Sequence, residues 1–301
     1  MNCKSEDLPQ CHNNETFGGK VSIVVRITVR PLRVMDIFSP LNLISMKNIN
    51  TLIAICAAVF LFSSCEETPD APTASVPSNL KGVFICNEGA FGLGNGTISF
   101  LNSSSNTFNE DLYFTTNNLP LGDVVQSIAL YDNRAFIAVN NSQKMEVVSL
   151  DNFKRITTIQ GLSSPRYFVG NGSKGYISDW ISDKVYVLNL NNYQIIDTIT
   201  TGSGPEEMAI VNNKLFICNS GGFSDDSSLT VVDINSNTVI TTIQTPVNPS
   251  SIKQDANGKL WVLCRGSLGS DFTPTPDDAA GALIQINPRS EEHTSELPVT
   301  L

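Results

Sequence analysis

Pro205-Glu206-Glu207-Met208-Ala209-Ile210-Val211, Asn212-Asn213-Lys214 and Leu215-Phe216-Ile217-Cys218 open the stretch whose reading decides the fold. After a loop it continues as Leu229-Thr230-Val231-Val232-Asp233-Ile234, Asn235-Ser236-Asn237-Thr238 and Val239-Ile240-Thr241-Thr242-Ile243. Four short runs rich in Ile, Val, Phe and Thr are bounded by Asn, Gly and Ser, the pattern of strands joined by turns. The unit recurs. Ile156-Thr157-Thr158-Ile159 answers to Ile196-Asp197-Thr198-Ile199 and to Ile240-Thr241-Thr242-Ile243, at spacings of 40 and 44. Leu150-Asp151, Leu190-Asn191, Ile234-Asn235 and Ile286-Asn287 repeat at 40, 44 and 52. Pro165, Pro205 and Pro249 open successive units, and Phe-Ile-Cys-Asn occurs at both 84–87 and 216–219. A period of this size signals a repeat architecture. No window between the turns holds a 3.6-residue period, which excludes helical repeats. Four antiparallel strands per unit describe an all-β chain built of propeller blades; a sandwich or a solenoid is the other use of such strands.

The unit also sorts its loops. Links between its first and second strands, and between its third and fourth, are short: Asn191-Asn192, Asn212-Asn213, and 235–238. Links from second to third strand, and from one blade to the next, are long and variable, among them 88–95, 140–144, 180–183, 220–228 and 265–281. Functional residues gather on irregular loops carried by a rigid frame, so the long-loop face is the expected binding face.

The Gly and Pro opening, the Asn-rich turn, Lys-Leu-Phe-Ile-Cys-Asn at 214–219, Val-Val-Asp-Ile at 231–234 and Val-Ile-Thr-Thr-Ile at 239–243 resemble the YVTN-type, YncE-like propeller repeat. The resemblance is strongest over 161–243 and weaker over 82–160, where Val139 stands in place of the repeat's Asn, and over 246–288. Asn87-Glu88-Gly89-Ala90-Phe91 with Gly94-Asn95-Gly96 is similar to the first blade of Bacteroidetes surface-lipoprotein propellers. Such families imply a ring of about seven blades, of which about five are visible here. The resemblance extends to propellers that capture vitamin B12 and sit on a TonB-dependent outer-membrane receptor.

Both ends of the chain fall outside the repeat. Met46-Lys47-Asn48-Ile49-Asn50 followed by the apolar run 52–62 has the length of a signal peptide's core and is too short to cross a bilayer. Leu61-Phe62-Ser63-Ser64-Cys65 resembles a lipoprotein signal with Cys65 as the acylated residue. Residues 46–64 are then a leader, and 65–80, rich in Pro, Thr, Ala and Ser, a tether to the lipid bilayer. Glu66-Glu67 resembles the acidic signal that sends Bacteroidetes lipoproteins to the outer surface, with the periplasmic face as the alternative. Residues 1–45 are expected to be an upstream extension of the reading frame. Residues 81–288 are expected to form an incomplete propeller. The tail 289–301, through Arg289-Ser290-Glu291-Glu292-His293-Thr294-Ser295-Glu296-Leu297, resembles a translated sequencing adapter, which implies truncation. A partial ring leaves strand edges open and is expected to aggregate.

Composition narrows the chemistry. Between 66 and 288 lie 22 acidic and 12 basic residues, a dispersed net charge of −10 with no basic stripe, which argues against nucleic acid as a partner. His12 and His293 are the two histidines, both in the outlying ends. The repeat domain therefore offers no Ser-His-Asp or Cys-His nucleophile and no His-ligated metal. Cys86, Cys218 and Cys264 are an odd set, expected as small buried strand residues. The chain is read as a non-enzyme without cofactor or metal site. A lactonase- or quinoprotein-like enzyme would need ligating groups in the central channel.

On the long-loop face the candidate ligand-binding residues are Asn87, Glu88, Phe91, Asn140, Arg166, Asp179, Trp180, Asn219, Phe223, Arg265 and Phe272. Trp180 stands where neighbouring repeats carry small or polar residues, so its indole either stacks on a flat ligand or packs between blades. Asn87 and Asn219 either meet ligand or cap turns. Arg166 and Arg265 suit carboxylate or phosphate groups, or pair with nearby acids. Asp225-Asp226 is read as a solvated loop more readily than as a calcium site. The resulting expectation is a surface lipoprotein that captures a ligand, a corrinoid by resemblance, and delivers it to a TonB-dependent transporter. The alternative is an adhesion module for protein partners.

Overall fold

The computed structural model describes residues 22–27, 81–267 and 278–299; Cys65, Phe272, the leader and the tether lie outside them. Five four-stranded sheets follow one another along the chain. The first holds β1 (Ser22–Ile27), β2 (Gly82–Asn87), β3 (Thr97–Asn102) and β4 (Thr107–Asn109). The second holds β5 (Val125–Tyr131), β6 (Arg134–Val139), β7 (Lys144–Ser149) and β8 (Arg155–Ile159). The third comprises β9 (Pro165–Asn171), β10 (Lys174–Asp179), β11 (Lys184–Asn189) and β12 (Gln194–Thr200), and the fourth β13 (Pro205–Val211), β14 (Lys214–Asn219), β15 (Ser228–Asp233) and β16 (Thr238–Gln244). The fifth holds β17 (Pro249–Gln254), β18 (Leu260–Cys264), β19 (Gly281–Asn287) and β20 (Glu292–Val299). Each sheet is a blade with strands in chain order, and the first strands of neighbouring blades pack on one another about the channel. The protein is a β-propeller.

Two strands come from segments that the repeat leaves out. β1 lies in the 1–45 segment and runs parallel to β2, the one parallel pairing among the described strands. A two-residue hairpin would force antiparallel pairing; the long connection from 28 to 81 does not. β20 lies in the 289–301 tail and completes the fifth blade against β19. One short helix, α1 (Leu112–Asn117), links the first two blades, with Asp111 capping it by accepting from the Phe114 amide at 3.0 Å.

The core is divided among the seams between blades. Phe84, Cys86, Phe100, Ile137 and Val139 fill the first seam; Phe136, Met145, Phe168 and Ile177 the second. Tyr176, Val187, Leu215 and Ile217 fill the third, and Phe216, Cys218, Val262 and Cys264 the fourth. Successive residues of one strand point to opposite faces, so Leu215 and Ile217 serve one neighbour while Phe216 and Cys218 serve the other. That is why the second strands β6 and β14 read as nearly unbroken apolar runs. All three cysteines are buried thiols. Burial pushes the Cys218 thiol well above its ordinary range, leaving it unreactive.

Turn chemistry sets the short-loop face. Asn212 and Asn213, at φ 51° and 60°, make the two-residue hairpin between β13 and β14, and Asp132 and Asn133, at 48° and 56°, make its counterpart. A β-bulge recurs between third and fourth strands, at Val147/Val148, Val187/Leu188, Val231/Val232 and Gln285/Ile286. Asn213→Val, which forces a β-branched side chain into the left-handed region, is expected to cost ~1–2 kcal/mol in chemical denaturation. Asn213→Gly is expected to stay within about 0.5 kcal/mol of the parent. Equal losses for both variants would contradict this turn assignment.

Candidate functional site

At the long-loop face the second strand of each blade ends beside the start of the first, and this register places most of the candidates in two rings. Val139, Asp179, Asn219 and Cys264 occupy one level, paired with Val125, Pro165, Pro205 and Pro249; Asn87 is the first blade's counterpart. The next residues, Glu88, Asn140, Trp180, Ser220 and Arg265, form the second level. The amides of the last four bond to Val124, Ser164, Gly204 and Asn248 carbonyls at 2.8–2.9 Å, closing each blade in the same way.

The two Asn of the first level have a structural role distinct from turn capping. Asn87 Nδ2 donates to Thr97 Oγ1 at 2.9 Å and to Ser99 Oγ at 2.7 Å. Asn219 Nδ2 donates to Ser228 Oγ and Thr230 Oγ1, each at 3.0 Å. In both blades one amide bridges two hydroxyls of the third strand. Where Val139 replaces Asn, the corresponding positions carry Lys144 and Glu146, which pair with each other at 2.7 Å. Asp179 is fully buried and committed: Oδ2 accepts from the Ser163 and Ser164 amides at 2.8 and 2.9 Å, and Oδ1 from Ser182. These groups build the mouth; Asp179 and Asn219 are fully buried there, and Asn87 is half-buried.

Arg166 lies on the second position of β9 and meets Glu206, one repeat later on β13, through Nε at 3.1 Å and Nη2 at 2.7 Å. Both side chains are largely buried, at 13 and 5 % exposure. The guanidinium also sits 5.0 Å from the Trp180 ring. Of the two partners open to Arg166, the structure selects the nearby acid. Trp180 is half-buried between blades, donating to Ser220 Oγ at 3.3 Å, with Phe223 tilted against it at 4.8 Å. Its indole thus packs between blades, as the second of its two readings has it, and on the other side meets the solvent-facing Phe223. Asn140 likewise reaches the next blade, donating to Ser164 Oγ at 2.7 Å, whereas Arg265 reaches back to the Ser220 carbonyl at 3.3 Å.

Phe91 and Phe223, 79 and 91 % exposed, stand on loop tips together with Leu93 and Ile181. Trp180, Ile181, Phe223 and Gly221-Gly222 line an open slot of about 350 Å³ with Asp183, Ser203 and Ser224 on its rim. Backbone makes the floor. A Cβ on Gly204 (φ 58°) would lie 2.3 Å from the Gly222 nitrogen and 2.7 Å from Trp180 Nε1. Asp225 and Asp226 are held by Asn248 Nδ2 at 2.7 Å and by the Ser203 amide at 2.9 Å, and among the described residues no group of three acidic, His or Cys side chains could hold a metal.

Sequence reasoning did not single out the channel-lining residues. Gln126, Ser127, Tyr167, Glu207, Met208 and Lys253 surround a cavity of about 460 Å³ below the mouth. Glu206 could have been found from Arg166 by stepping 40 residues along the repeat. Gln126 and Tyr167 carry no motif, and their role emerges only when the first strands converge.

Residues 81–292 match the family described as "Domain of unknown function (DUF5074)", and the chain belongs to that family. Among solved structures it is similar to Kuenenia stuttgartiensis hydrazine synthase, at 17 % identity over 56 % of this chain and 46 % of that one, TM-score 0.49. It is also similar to the dihydro-heme d1 dehydrogenase NirN in complex with DHE, at 12 % identity over 67 % of this chain and 42 % of that one, TM-score 0.50. A third likeness is to the WD40 β-propeller domain of Doa1, at 13 % identity over 59 % of each chain, TM-score 0.44. The chain spans less than half the length of the first two, and at 12 % identity the NirN likeness is one of fold alone. No curated protein sequence matches the chain.

Gly204→Ala is expected to destabilise the protein by ~2–3 kcal/mol, because backbone cannot retreat from the added methyl. Gly161→Ala, where nothing lies within 4 Å of the added carbon, carries only the positive-φ cost of ~1 kcal/mol. Thermal unfolding of the two variants checks the close approach; equal shifts would refute it.

Proposed function

We propose that the chain is a binding protein and not an enzyme, and that it takes ligands on its long-loop face. The observation that carries this reading is the aromatic slot: Trp180 is fixed by Ser220 and Arg166, Phe223 leans on it while remaining almost fully exposed, and a glycine floor leaves room above. A rigid aromatic surface backed by a β-frame costs little conformational entropy on binding. The charged groups at the mouth support binding over catalysis, since Arg166, Glu206 and Asp179 are engaged with one another or with backbone.

The ligand class that fits best is large, partly planar and rich in amides, with a face for the indole and Phe223 and polar edges for Asp183, Ser203 and Ser224. A corrinoid has this character, and the resemblance to B12-capture propellers leads to the same class. In this reading Cys65 is lipidated, the propeller stands at the outer surface, and bound ligand passes to a TonB-dependent receptor. A second reading, docking of a protein partner, is favoured by the exposure of Phe91 and Leu93 together with Phe223 and Ile181 on this face.

Titration of the chain, with Cys65→Ser to avoid lipidation, against cyanocobalamin by calorimetry is expected to give saturable one-site binding. Trp180→Ala is expected to weaken it about tenfold through lost stacking. Absence of heat and of retention on corrinoid resin would eliminate the corrinoid and leave the protein-docking reading in front.

A further inference from the structure

At the short-loop face one contact recurs from blade to blade. Arg134, Lys174 and Lys214 open β6, β10 and β14, each five residues before the level of Val139, Asp179 and Asn219. Each reaches the turn between the third and fourth strands of the following blade. Arg134 Nη1 donates to the Leu190 carbonyl and the Tyr193 hydroxyl, both at 3.0 Å. Lys174 Nζ donates to the Ile234 carbonyl at 3.0 Å and to Asn237 Oδ1 at 3.2 Å, and Lys214 pairs with Glu291. Tyr193, Asn237 and Glu291 hold one position, immediately before a fourth strand, with φ of 59°, 57° and 61°. The turn of the second blade is met instead by Asn117 Nδ2, on the Phe153 carbonyl at 3.2 Å.

The pattern leaves a cation at one end of the series and an acceptor turn at the other. Lys259 stands five residues before Cys264, and its ammonium makes no ion pair or hydrogen bond with a described residue. The neighbouring Asp255 carboxylate is taken up by the Asn257 and Lys259 amides and by Trp261 Nε1. Asn106, immediately before β4 at φ 51°, is exposed, and its side chain has no partner among the described residues. The same two blades carry apolar rows. Phe84, Cys86 and Phe100 pack toward the second blade, so Val83, Leu101 and Phe108, aligned across β2, β3 and β4, face away from it. Val262, Cys264 and Ile284 pack on the fourth blade, so Leu263, Leu283 and Leu297 form a row on the other face of the fifth. Phe108, Leu263 and Leu297 are 56, 41 and 53 % exposed, whereas Phe216 and Cys218, the repeat counterparts of Trp261 and Leu263, are fully buried against the fifth blade.

We propose that these two faces bind a second copy of this chain, head to tail: the outer face of the fifth blade of one copy packs on the outer face of the first blade of the next. Lys259 then donates to the Ser103 carbonyl and Asn106 Oδ1 of that copy, as Lys174 does to Ile234 and Asn237 within one chain. A second copy is the occupant because every inner seam joins this same pair of faces, and the chain carries one unmated half at each end. The contact is heterologous, so it extends from copy to copy until the rotation closes a ring. It does not involve the aromatic slot and stands apart from ligand capture there.

The test is sedimentation velocity of the full chain, carrying Cys65→Ser, over a range of concentrations. Association that grows with concentration is expected. Phe108→Glu charges the first-blade face and Leu263→Glu the fifth-blade face; each should weaken association about tenfold or more. Mixed in equal amounts, the two variants should form a dimer and nothing larger, because each supplies the face that the other lacks. A parent chain that stays monomeric overturns the proposal and leaves the two faces to another occupant. Association unaltered in both variants, or a mixture that stays monomeric, also overturns it. Circular dichroism confirms that the variants are folded. Should either fail to fold, Lys259→Glu decides: it should weaken association a few-fold, and Asn106→Lys in the same chain should restore it. Loss without restoration would count against the seam.

Discussion

Each blade must offer polar groups to the next across a distance of one repeat, and the rest of the structure depends on that constraint. Ser127 donates to the Arg166 carbonyl at 2.6 Å, Arg166 binds Glu206, and Glu207 holds the Ile252 amide. These links run from β5 to β9, β13 and β17 and span 39, 40 and 45 residues, so the sequence period becomes a belt around the channel. First strands of different blades do not pair with one another as a sheet; each is the edge strand of its own blade. Side chains therefore join them, and a buried pair such as Arg166–Glu206 fixes the geometry of the seam as well as adding to its energy.

Apolar packing supplies the driving force that the belt organises. Every blade from the second to the fourth is covered on both faces, and its strands split their side chains between two seams. The innermost three strands are thus committed, whereas the outer strands keep Ile156, Ile196, Val239 and Ile240 partly in solvent. Burial declines outward, and the loops at the mouth carry the exposed aromatic side chains Phe91 and Phe223. Trp180 illustrates the connection: Arg166 of the belt lies against its ring, and Ser220 of the following blade fixes its nitrogen.

These same facts decide what was legible in the sequence. Strands, turns and blade boundaries could be read because they depend on local alternation, on Asn pairs in the left-handed region and on Pro at the start of each first strand. The long-loop face was legible because loop length follows from topology. Side-chain roles were less so. Asn87 and Asn219 belong to a cross-strand bridge whose partners, Thr97 with Ser99 and Ser228 with Thr230, lie 9 to 12 residues away and carry no signal of their own. Arg166 was recognised as a group seeking an anion, and a step of one repeat along the chain leads to Glu206, which supplies it. The channel wall escaped notice because Gln126, Tyr167 and Lys253 are ordinary residues until four first strands meet. β1 and β20 arise from segments without repeat character, and periodicity has no means of placing them.

The central claim is that side-chain links one repeat apart hold the blades in register and position the aromatic mouth. A double-mutant cycle with Arg166→Met and Glu206→Leu, in a Trp261→Phe background so that Trp180 is the sole indole, addresses it directly. The account predicts that each single replacement destabilises by ~3 kcal/mol, leaving a buried charge unpaired, while the double replacement recovers at least ~1 kcal/mol of the summed loss. It also predicts that Arg166→Met alone shifts Trp180 emission. Additive losses with unchanged emission would contradict it.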